Sequence, residues 1–461
     1  MKLIMKFGGS SIGSGKRVKE TARIISEYRG DETVVVASAM EGVTDRLIRI
    51  ANNVVKGVGE EGIREFIERL KTMHMAATKK AVSEQHREAV TVTIDRLCNE
   101  LRKVLVGESY VGELTPRSLD YIMSFGERLS APILSGAISS LGIKSKWLTG
   151  YEAGIITDSN FGSAAPVWAA TNKKIKRTLV PLIKSGIPVV TGFIAGDEKG
   201  RITTFGRGGS DFTASILGSV LNADEIVIWT DVDGILSSNP GLVKKAEIID
   251  VISYAEAQEL AYFGAKVLHP KTIEPAMEKG IPVRVKNTFN PKNKGTLIVR
   301  KQRKMVDVVK AISVRNDVAL LTVSGVGMIG VPGIAARLFG VLADRRINIL
   351  MISQGSSEVN ISLVIEKRDL KRAFRVLEKA FPGKDIVKEI KHSDNVSIVA
   401  VVGAGMRGTK GVAARIFSAV AKANVNILMI AQGSSEVNIS FIILRKDARK
   451  AANALHREFI K

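Results

Sequence analysis

Two glycine-rich segments hold the densest set of groups that could do chemistry. The first, Lys6-Phe7-Gly8-Gly9-Ser10-Ser11, closes an apolar run at 3–7 and precedes a helical stretch. A strand, a glycine-rich turn and a helix in that order point backbone N–H groups and a positive helix end at anions such as phosphate. It is not a Walker A loop, because Ser10 stands where the first glycine belongs and Arg17 where a hydroxyl residue is required. Nor is it a dinucleotide fingerprint, since Gly13-x-Gly15 is followed by Val18. The second segment, TTFGRGGSDFTAS at 203–215, sets Gly206, Gly208 and Gly209 around Arg207, with Ser210 and Asp211 just inside a helix start. Close backbone approach, one guanidinium and one hydroxyl suit a carboxylate or a phosphate. Asp211 alone would serve equally as a helix cap.

Weaker motifs accompany these. Phe125-Gly126-Glu127-Arg128-Leu129-Ser130 puts a Glu–Arg pair inside a helix, and SAMEGVTD at 38–45 offers Ser38 and Thr44 at a strand end. WTDVDG at 229–234 places two carboxylates on a loop after a strand, suited to a ribose or a metal. Lys266 sits in the otherwise apolar FGAKVLHP at 263–270. A G-x-G-x-x-G pattern occurs at Gly325, Gly327, Gly330 and again at Gly403, Gly405, Gly408. A dinucleotide site would need an acidic residue ending the next strand, where Ser353-Gln354 and Ala431-Gln432 stand instead, so both read as turns feeding helices. The single cysteine, Cys98, lies in a helical pattern and reads as packing, and the five histidines lack metal-ligand spacing. The formal charge of +22 is unusual, but the basic runs lack interleaved aromatics, which argues for a solvated surface over nucleic-acid binding.

The elements that must position these groups alternate in type. Strands are expected at 3–7, 33–37, 144–148, 188–191, 225–229 and 282–286, with helices at 117–141, 209–221 and 254–263. Such alternation predicts a mainly parallel sheet with helices on both faces and binding loops at the carboxyl ends of its strands. The tail is duplicated. NILMISQGSSEVNISLVI begins at Asn348 and NILMIAQGSSEVNISFII at Asn426, an offset of 426 − 348 = 78 that also aligns Gly333 with Gly411. Each copy reads β-α-β-β-α, a ferredoxin-like order lacking its last strand. The second copy leaves no room for that strand, and 305–314 is expected to supply it. The turn-rich NPKNKG at 290–295 puts a boundary near 303, giving domains at 1–303, 304–390 and 391–461, with 304–314 lent to the second copy. No run approaches the roughly 18 apolar residues that span a bilayer, and the first apolar stretch is too short for a secretory signal. A cytoplasmic protein without membrane or nucleic-acid partners is expected.

Taken together, KFGGSS, SAMEGVTD, FGERLS, TTFGRGGSD, WTDVDG and FGAKVLHP, in this order and followed by the duplicated tail, resemble the aspartokinases over essentially the whole chain. The resemblance implies an amino-acid-kinase domain, a three-layer α/β sandwich with a mainly parallel sheet, followed by two ferredoxin-like βαββαβ ACT domains. It implies an aspartate kinase that uses ATP with Mg²⁺ to phosphorylate the β-carboxylate of L-aspartate, the first step toward lysine, threonine and methionine, with no metal ligand assigned to the protein. Position by position, ATP would meet Lys6, Gly8, Gly9, Ser10, Thr230, Asp231 and Lys266. Aspartate would meet Ser38, Thr44, Glu127, Arg207 and Ser210, with Arg207 on its α-carboxylate and Glu127 on its ammonium. Lys6, Asp211 and Lys266 would carry the catalytic charge. Gln354, Asn360, Gln432 and Asn438 align with effector contacts, for threonine ahead of lysine, in ACT domains that pair into homo-oligomers. Leu236, Asn239 and Gly241 depart from the family's tyrosine and Asp-Pro-Arg, which bears on nucleotide binding. The competing expectations are a related kinase for homoserine, whose hydroxyl would need a base such as Asp211, and a catalytically weak amino-acid-binding regulator.

Overall fold

A computed structural model describes residues 1–264, 270–300, 308–355, 358–382, 385–433 and 435–460. They fall into two compact bodies. The first holds Met1–Ile235, Asp250–Tyr254 and 270–300, and the second Leu236–Ile249, 255–264 and 308–460.

The strands of the first body are β1 (Lys2–Phe7), β2 (Glu32–Ala37), β3 (Ser145–Leu148), β4 (Ile156–Thr157), β5 (Ile187–Thr191), β6 (Ile194–Asp197), β7 (Ile202–Thr204), β8 (Glu225–Thr230), β9 (Val251–Ser253), β10 (Val283–Asn287) and β11 (Thr296–Val299). Eight form one sheet in the order β3-β5-β2-β1-β8-β10-β11-β9, and β4, β6 and β7 form a small one. Every pairing in the large sheet is parallel except that of β10 with β11. Its helices are α1 (Gly15–Ser26), α2 (Val43–Val54), α3 (Glu60–Ala81), α4 (Glu84–Val111), α5 (Pro116–Ser139), α6 (Gly150–Ala153), α7 (Trp168–Ser185), α8 (Gly209–Leu221) and α10 (Glu274–Lys279), while α9 (Tyr254–Tyr262) belongs, beyond Tyr254, to the second body.

Helices cover both faces of the central strands, which is why these read as continuous apolar runs rather than alternating ones. Leu3, Met5 and Phe7 of β1 join Val18, Ala22 and Ile25, one face of α1, in a core that α2 to α5 extend. Ile4 points the other way, toward α8, where the bare Cα of Gly218 admits Ile226 and Ile4. The parallel arrangement brings the carboxyl ends of β2, β1 and β8 side by side.

In the second body the strands are β12 (Ala311–Ser324), β13 (Ile349–Gln354), β14 (Asn360–Glu366), β15 (Glu389–Val402), β16 (Ile427–Gln432) and β17 (Asn438–Leu444). They form one sheet, β13-β14-β12-β15-β17-β16, backed by α11 (Ile334–Ala343), α12 (Leu370–Ala380), α13 (Val412–Lys422) and α14 (Ala448–Phe459). Each copy keeps its own hydrophobic core. The two central strands are long and shared. Ala311–Arg315 pairs antiparallel with Ile398–Val402, while Leu320–Ser324 pairs with Glu389–Ser393. The stretch 311–315 lent to the second copy overlaps the 305–314 expected to close it and runs one residue beyond. The reciprocal loan, from β15 to the first copy, was not foreseen, because a long strand with irregular register at Arg315–Leu320 reads as two unrelated short runs. The G-x-G-x-x-G turns are tight packing. A Cβ on Gly327 would lie 2.1 Å from the Asp385 carbonyl oxygen.

Residues 236–249 join the second body although the sequence reads as uninterrupted catalytic domain there. Leu242 and Val243 enter the core of the second copy. Arg449 Nη2 donates to the Gly241 carbonyl at 2.9 Å, Asn453 Nδ2 to that of Leu242 at 3.0 Å, and Ser237 Oγ meets His456 Nε2 at 3.0 Å. Leu236 bridges to Ile248, and Asn239 Oδ1 accepts from Gly241 N. Leu236, Asn239 and Gly241 thus do structural work here. Among the described residues, no helix is long and apolar enough to cross a membrane.

His74 of α3 is buried. Its Nδ1 donates to the Leu70 carbonyl at 2.8 Å, and Nε2 has no partner among the described residues. Burial, opposed by the Leu70 bond and aided by nearby Arg46, lowers its pKa from 6.5 to about 4. The folded state therefore refuses a proton that the unfolded chain takes up below pH 6.5. Stability should fall between pH 6.5 and pH 4 by roughly 3 kcal/mol from this group. Urea denaturation at several pH values should show that loss in the wild type and a flatter profile in His74→Gln.

Candidate active site

A cleft of about 550 Å³ in the first body opens beyond the carboxyl ends of β1 and β2. Its walls are Lys6 and Gly9 from β1 and its turn, Ser38 to Asp45 after β2, Met123 and Glu127 of α5, and Thr204 with Gly206 to Asp211 at the start of α8. Gly162, Phe193 and Ile48 complete the lining.

Lys6 Nζ lies 2.7 Å from Asp211 Oδ1, with both side chains nearly buried. Asp211 occupies the first turn of α8, where the helix dipole favours a negative charge. Gly206 and Gly208 adopt left-handed φ of 74° and 75°, which a residue with a Cβ adopts only at a cost. The turn they make brings the N-terminal N–H groups of α8 to the cleft and leaves Arg207 exposed between them. Among the described residues Arg207 has no ion-pair partner. Ser210, Ser38 and Thr44 place hydroxyl residues on the same cleft.

The Glu–Arg pair read from the sequence is not a pair. Arg128 turns away, its Nη2 2.7 Å from Glu100 Oε1 and its guanidinium over the Phe125 ring at 4.5 Å. Glu127 faces the cleft by itself. Its Oε1 accepts from Ala39 N at 3.0 Å, and Oε2 has no partner among the described residues. Gly126 makes this contact possible, because a Cβ there would sit 2.7 Å from that of Ala39. Burial pushes the Glu127 carboxyl up to about 8, opposed by hydrogen bonds from the backbone. Near neutral pH it is a mostly neutral acid whose second oxygen is free.

Gly8, Ser10, Thr230 and Asp231 gather beside this cleft rather than in it, on the adjoining ends of β1 and β8. Gly8 N donates to the Trp229 carbonyl at 3.1 Å, and Ser11 Oγ meets Thr288 Oγ1 at 2.6 Å. Trp229 stacks on Phe7, with Lys286 Nζ 5.0 Å from its ring. Thr230 Oγ1 donates to Asp231 Oδ1, while Asp233 fixes the loop by accepting from Asn287 and Asn290. Lys266 lies outside the described residues. Sequence reasoning missed Met123 and Phe193 on the cleft and Asp120 behind it. The only signal for Asp120 was a second acid seven residues before Glu127 on one apolar helix.

The residues aligned as effector contacts differ between the two copies. Asn438 is engaged at both ends, donating to Glu259 Oε2 at 3.0 Å and accepting from Ser440 Oγ at 2.8 Å. Glu256, one turn before Glu259, accepts from Ala404 N at 2.6 Å. Its counterpart Asn360 has no side-chain hydrogen bond to any described residue. Gln354 and Gln432 end β13 and β16 and are exposed.

The amino acid kinase family profile matches residues 1–287, and an ACT domain profile matches 321–381 and 399–459. Aspartokinase 2, chloroplastic, of Arabidopsis thaliana is 34% identical over 472 residues, covering 99% of this chain and 84% of that protein. Bifunctional aspartokinase/homoserine dehydrogenase 2, chloroplastic, of the same plant is 33% identical over 99% of this chain, which spans only 50% of that protein. The chain thus covers about half the length of the bifunctional relatives it matches. Among solved structures, E. coli aspartokinase III in complex with aspartate and ADP (R-state) aligns with a TM-score of 0.83 at 28% identity, covering 100% of both chains. The same enzyme in complex with lysine and aspartate (T-state) aligns equally well, at 29% identity.

The raised pKa of Glu127 has a measurable sign. The folded state keeps a proton that the unfolded chain loses above pH 4.5, so this group costs stability as pH rises from 4.5 through 8. Carbon-13 NMR of the side-chain carboxyl should give a midpoint near 8. Glu127→Gln should equal the wild type in stability at acid pH and exceed it at pH 9.

Proposed function

Because the chain belongs to the amino acid kinase family and, within it, to the aspartokinases, we propose that it transfers the γ-phosphoryl group of ATP to the β-carboxylate of L-aspartate. The observation that carries this reading is the presence in one cleft of a guanidinium, Arg207, and a buried carboxyl, Glu127, the first without an ion-pair partner and the second with one unsatisfied oxygen among the described residues. An amino acid offers a carboxylate to the first and an ammonium to the second.

A carboxylate nucleophile is already ionised at neutral pH, so no general base is required. The task is to bring two anions together, and the chain's own groups answer it by position and charge. Lys6 supplies an ammonium at the end of β1, the turn at Gly8 to Ser10 supplies N–H groups, and the amino ends of α2 and α8 supply dipoles. Ser38, Thr44 and Ser210 orient the attacking carboxylate, and Phe193 and Met40 help exclude water from the reactive acyl phosphate. Magnesium is proposed to arrive with the nucleotide. Mg²⁺, when bound, would help neutralise charge on the transferred group. The homoserine alternative needs a base, and Asp211 is engaged by Lys6.

The test is ADP release from Mg·ATP with aspartate, glutamate and homoserine in parallel, with hydroxylamine to trap acyl phosphate. Aspartate-dependent ADP matched by hydroxamate is expected. Turnover of homoserine without hydroxamate would overturn the reading. Since Glu127 must lose its proton to pair with an ammonium, aspartate affinity should improve up to tenfold per unit as pH rises from 6 to 7.5 and level off above 8. Glu127→Gln should remove that dependence and bind aspartate at least tenfold more weakly (order of magnitude from a lost charged hydrogen bond).

Feedback control by threonine or lysine belongs to the same reading, with the effector bound in the first ACT copy, where Asn360 has no side-chain hydrogen bond among the described residues, rather than the second, where Glu259 engages Asn438. Inhibition is then a shift toward a less active arrangement that the effector prefers. Asn360→Ala should abolish inhibition in an assay titrated with each amino acid, and Asn438→Ala should leave its midpoint within about threefold, less than one kcal/mol.

A further inference from the structure

We infer that Asp120 is a positioning residue that sets the spacing between Arg207 and Glu127, the two groups gripping the substrate's α-carbon. The inference rests on the aspartate reading above. Asp120 lies in α5 with no exposed surface. Its Oδ2 accepts from Gly162 N and Thr204 N, both at 2.9 Å, and its Oδ1 accepts from Thr204 Oγ1 at 2.7 Å. One buried carboxylate thereby fastens two separate stretches of chain to one helix. Thr204 ends β7, directly before the Phe205–Gly206–Arg207 turn. Gly162 lies against that turn, its carbonyl oxygen 3.0 Å from where a Cβ on Gly206 would be.

The stretch holding Gly162 is itself stiff. Asp158 Oδ1 accepts from Asn160 N and Ala165 N, and Ser159 Oγ donates to Asp197 Oδ2. Arg201 lies over the Phe161 ring. An anchor onto this stretch is an anchor onto the scaffold. Asp120, Met123 and Glu127 follow the i, i+3, i+7 spacing of one helix face, and the latter two line the cleft. At 1.5 Å rise per residue, Asp120 and Glu127 are separated by about 10 Å along the helix. The helix acts as a ruler, pinning the Arg207 turn at one end and presenting the carboxyl for the ammonium at the other.

A carboxylate that merely satisfied two buried N–H groups would, when removed, loosen the fold without favouring one substrate over another. A ruler predicts a selective defect, because neither the turn at Gly8 to Ser10 nor the loop at Thr230 touches Asp120. The experiment is steady-state kinetics of the full chain with both substrates varied. Asp120→Ala should raise the KM for aspartate at least tenfold while the KM for ATP and kcat stay within about threefold. Asp120→Asn can still accept both N–H bonds on its oxygen and donate to Thr204 Oγ1, so it should restore most of the aspartate KM. Thr204→Val, which removes only the hydroxyl arm, should move the aspartate KM in the same direction by a few-fold, and it serves if Asp120→Ala does not fold. Equal rises in both KM values, or an unchanged aspartate KM in all three variants, overturns the assignment. Wild-type turnover of aspartate, run alongside, tests the parent reading separately. Its absence defeats that reading, whereas its presence with unaltered variants defeats only the role of Asp120.

Discussion

The ion pair of Lys6 with Asp211, at 2.7 Å, joins the carboxyl end of the central strand to the amino end of α8. An ammonium so nearly buried is costly without a partner, and in a low-dielectric site even a good pair contributes little net stability. Its value is placement. Asp211 fixes where the Lys6 ammonium stands on the wall of the cleft. The dipole of α8 in turn favours the negative charge of Asp211. In the proposed reaction two anions must meet, and the Lys6 ammonium is in place on the cleft before either arrives.

Around that pair the fold supplies reach and rigidity. Parallel pairing of β2, β1 and β8 sets their turns side by side, so groups far apart in sequence share one edge. Glycine decides how close the walls come. Gly126 lets α5 approach Ala39 until its N–H reaches Glu127, and Gly206 with Gly208 turns the chain so that Arg207 stands free while α8 begins. Burial raises the pKa of the Glu127 carboxyl at the cleft, and under the proposed function an ammonium bound there would draw off its proton.

Much of this was legible in the sequence, for physical reasons. Strands buried on both faces leave unbroken apolar runs, and the glycine-rich turns that follow them marked Lys6, Ser38, Thr44, Arg207, Ser210 and Asp211. All of these line one cleft. The duplicated tail declared itself by its offset. What stayed hidden was tertiary. Glu127 and Arg128 adjoin on a helix, where such residues are usually solvated, yet both are buried and Arg128 serves Glu100. Asp120 resembles any helical acid until the N–H groups of Gly162 and Thr204 are brought to it. Residues 236–249 carry no compositional mark that would assign them to the body containing α14. The long strands β12 and β15 hid the mutual exchange between the two copies, since register is a property of pairs.

In the proposed reaction the side-chain carboxylate of aspartate itself attacks phosphorus. The most direct measurement uses aspartate labelled with oxygen-18 in the β-carboxylate, with Mg·ATP and hydroxylamine, followed by phosphorus-31 NMR of the released phosphate. Attack by the carboxylate leaves one labelled oxygen bridging carbon and phosphorus, and hydroxylamine, cleaving at carbon, sends it out with the phosphate. An isotope-shifted phosphate signal, equal in amount to the ADP formed, is the predicted result. Unlabelled phosphate accompanying ADP would mean that water is the acceptor, and would contradict the account.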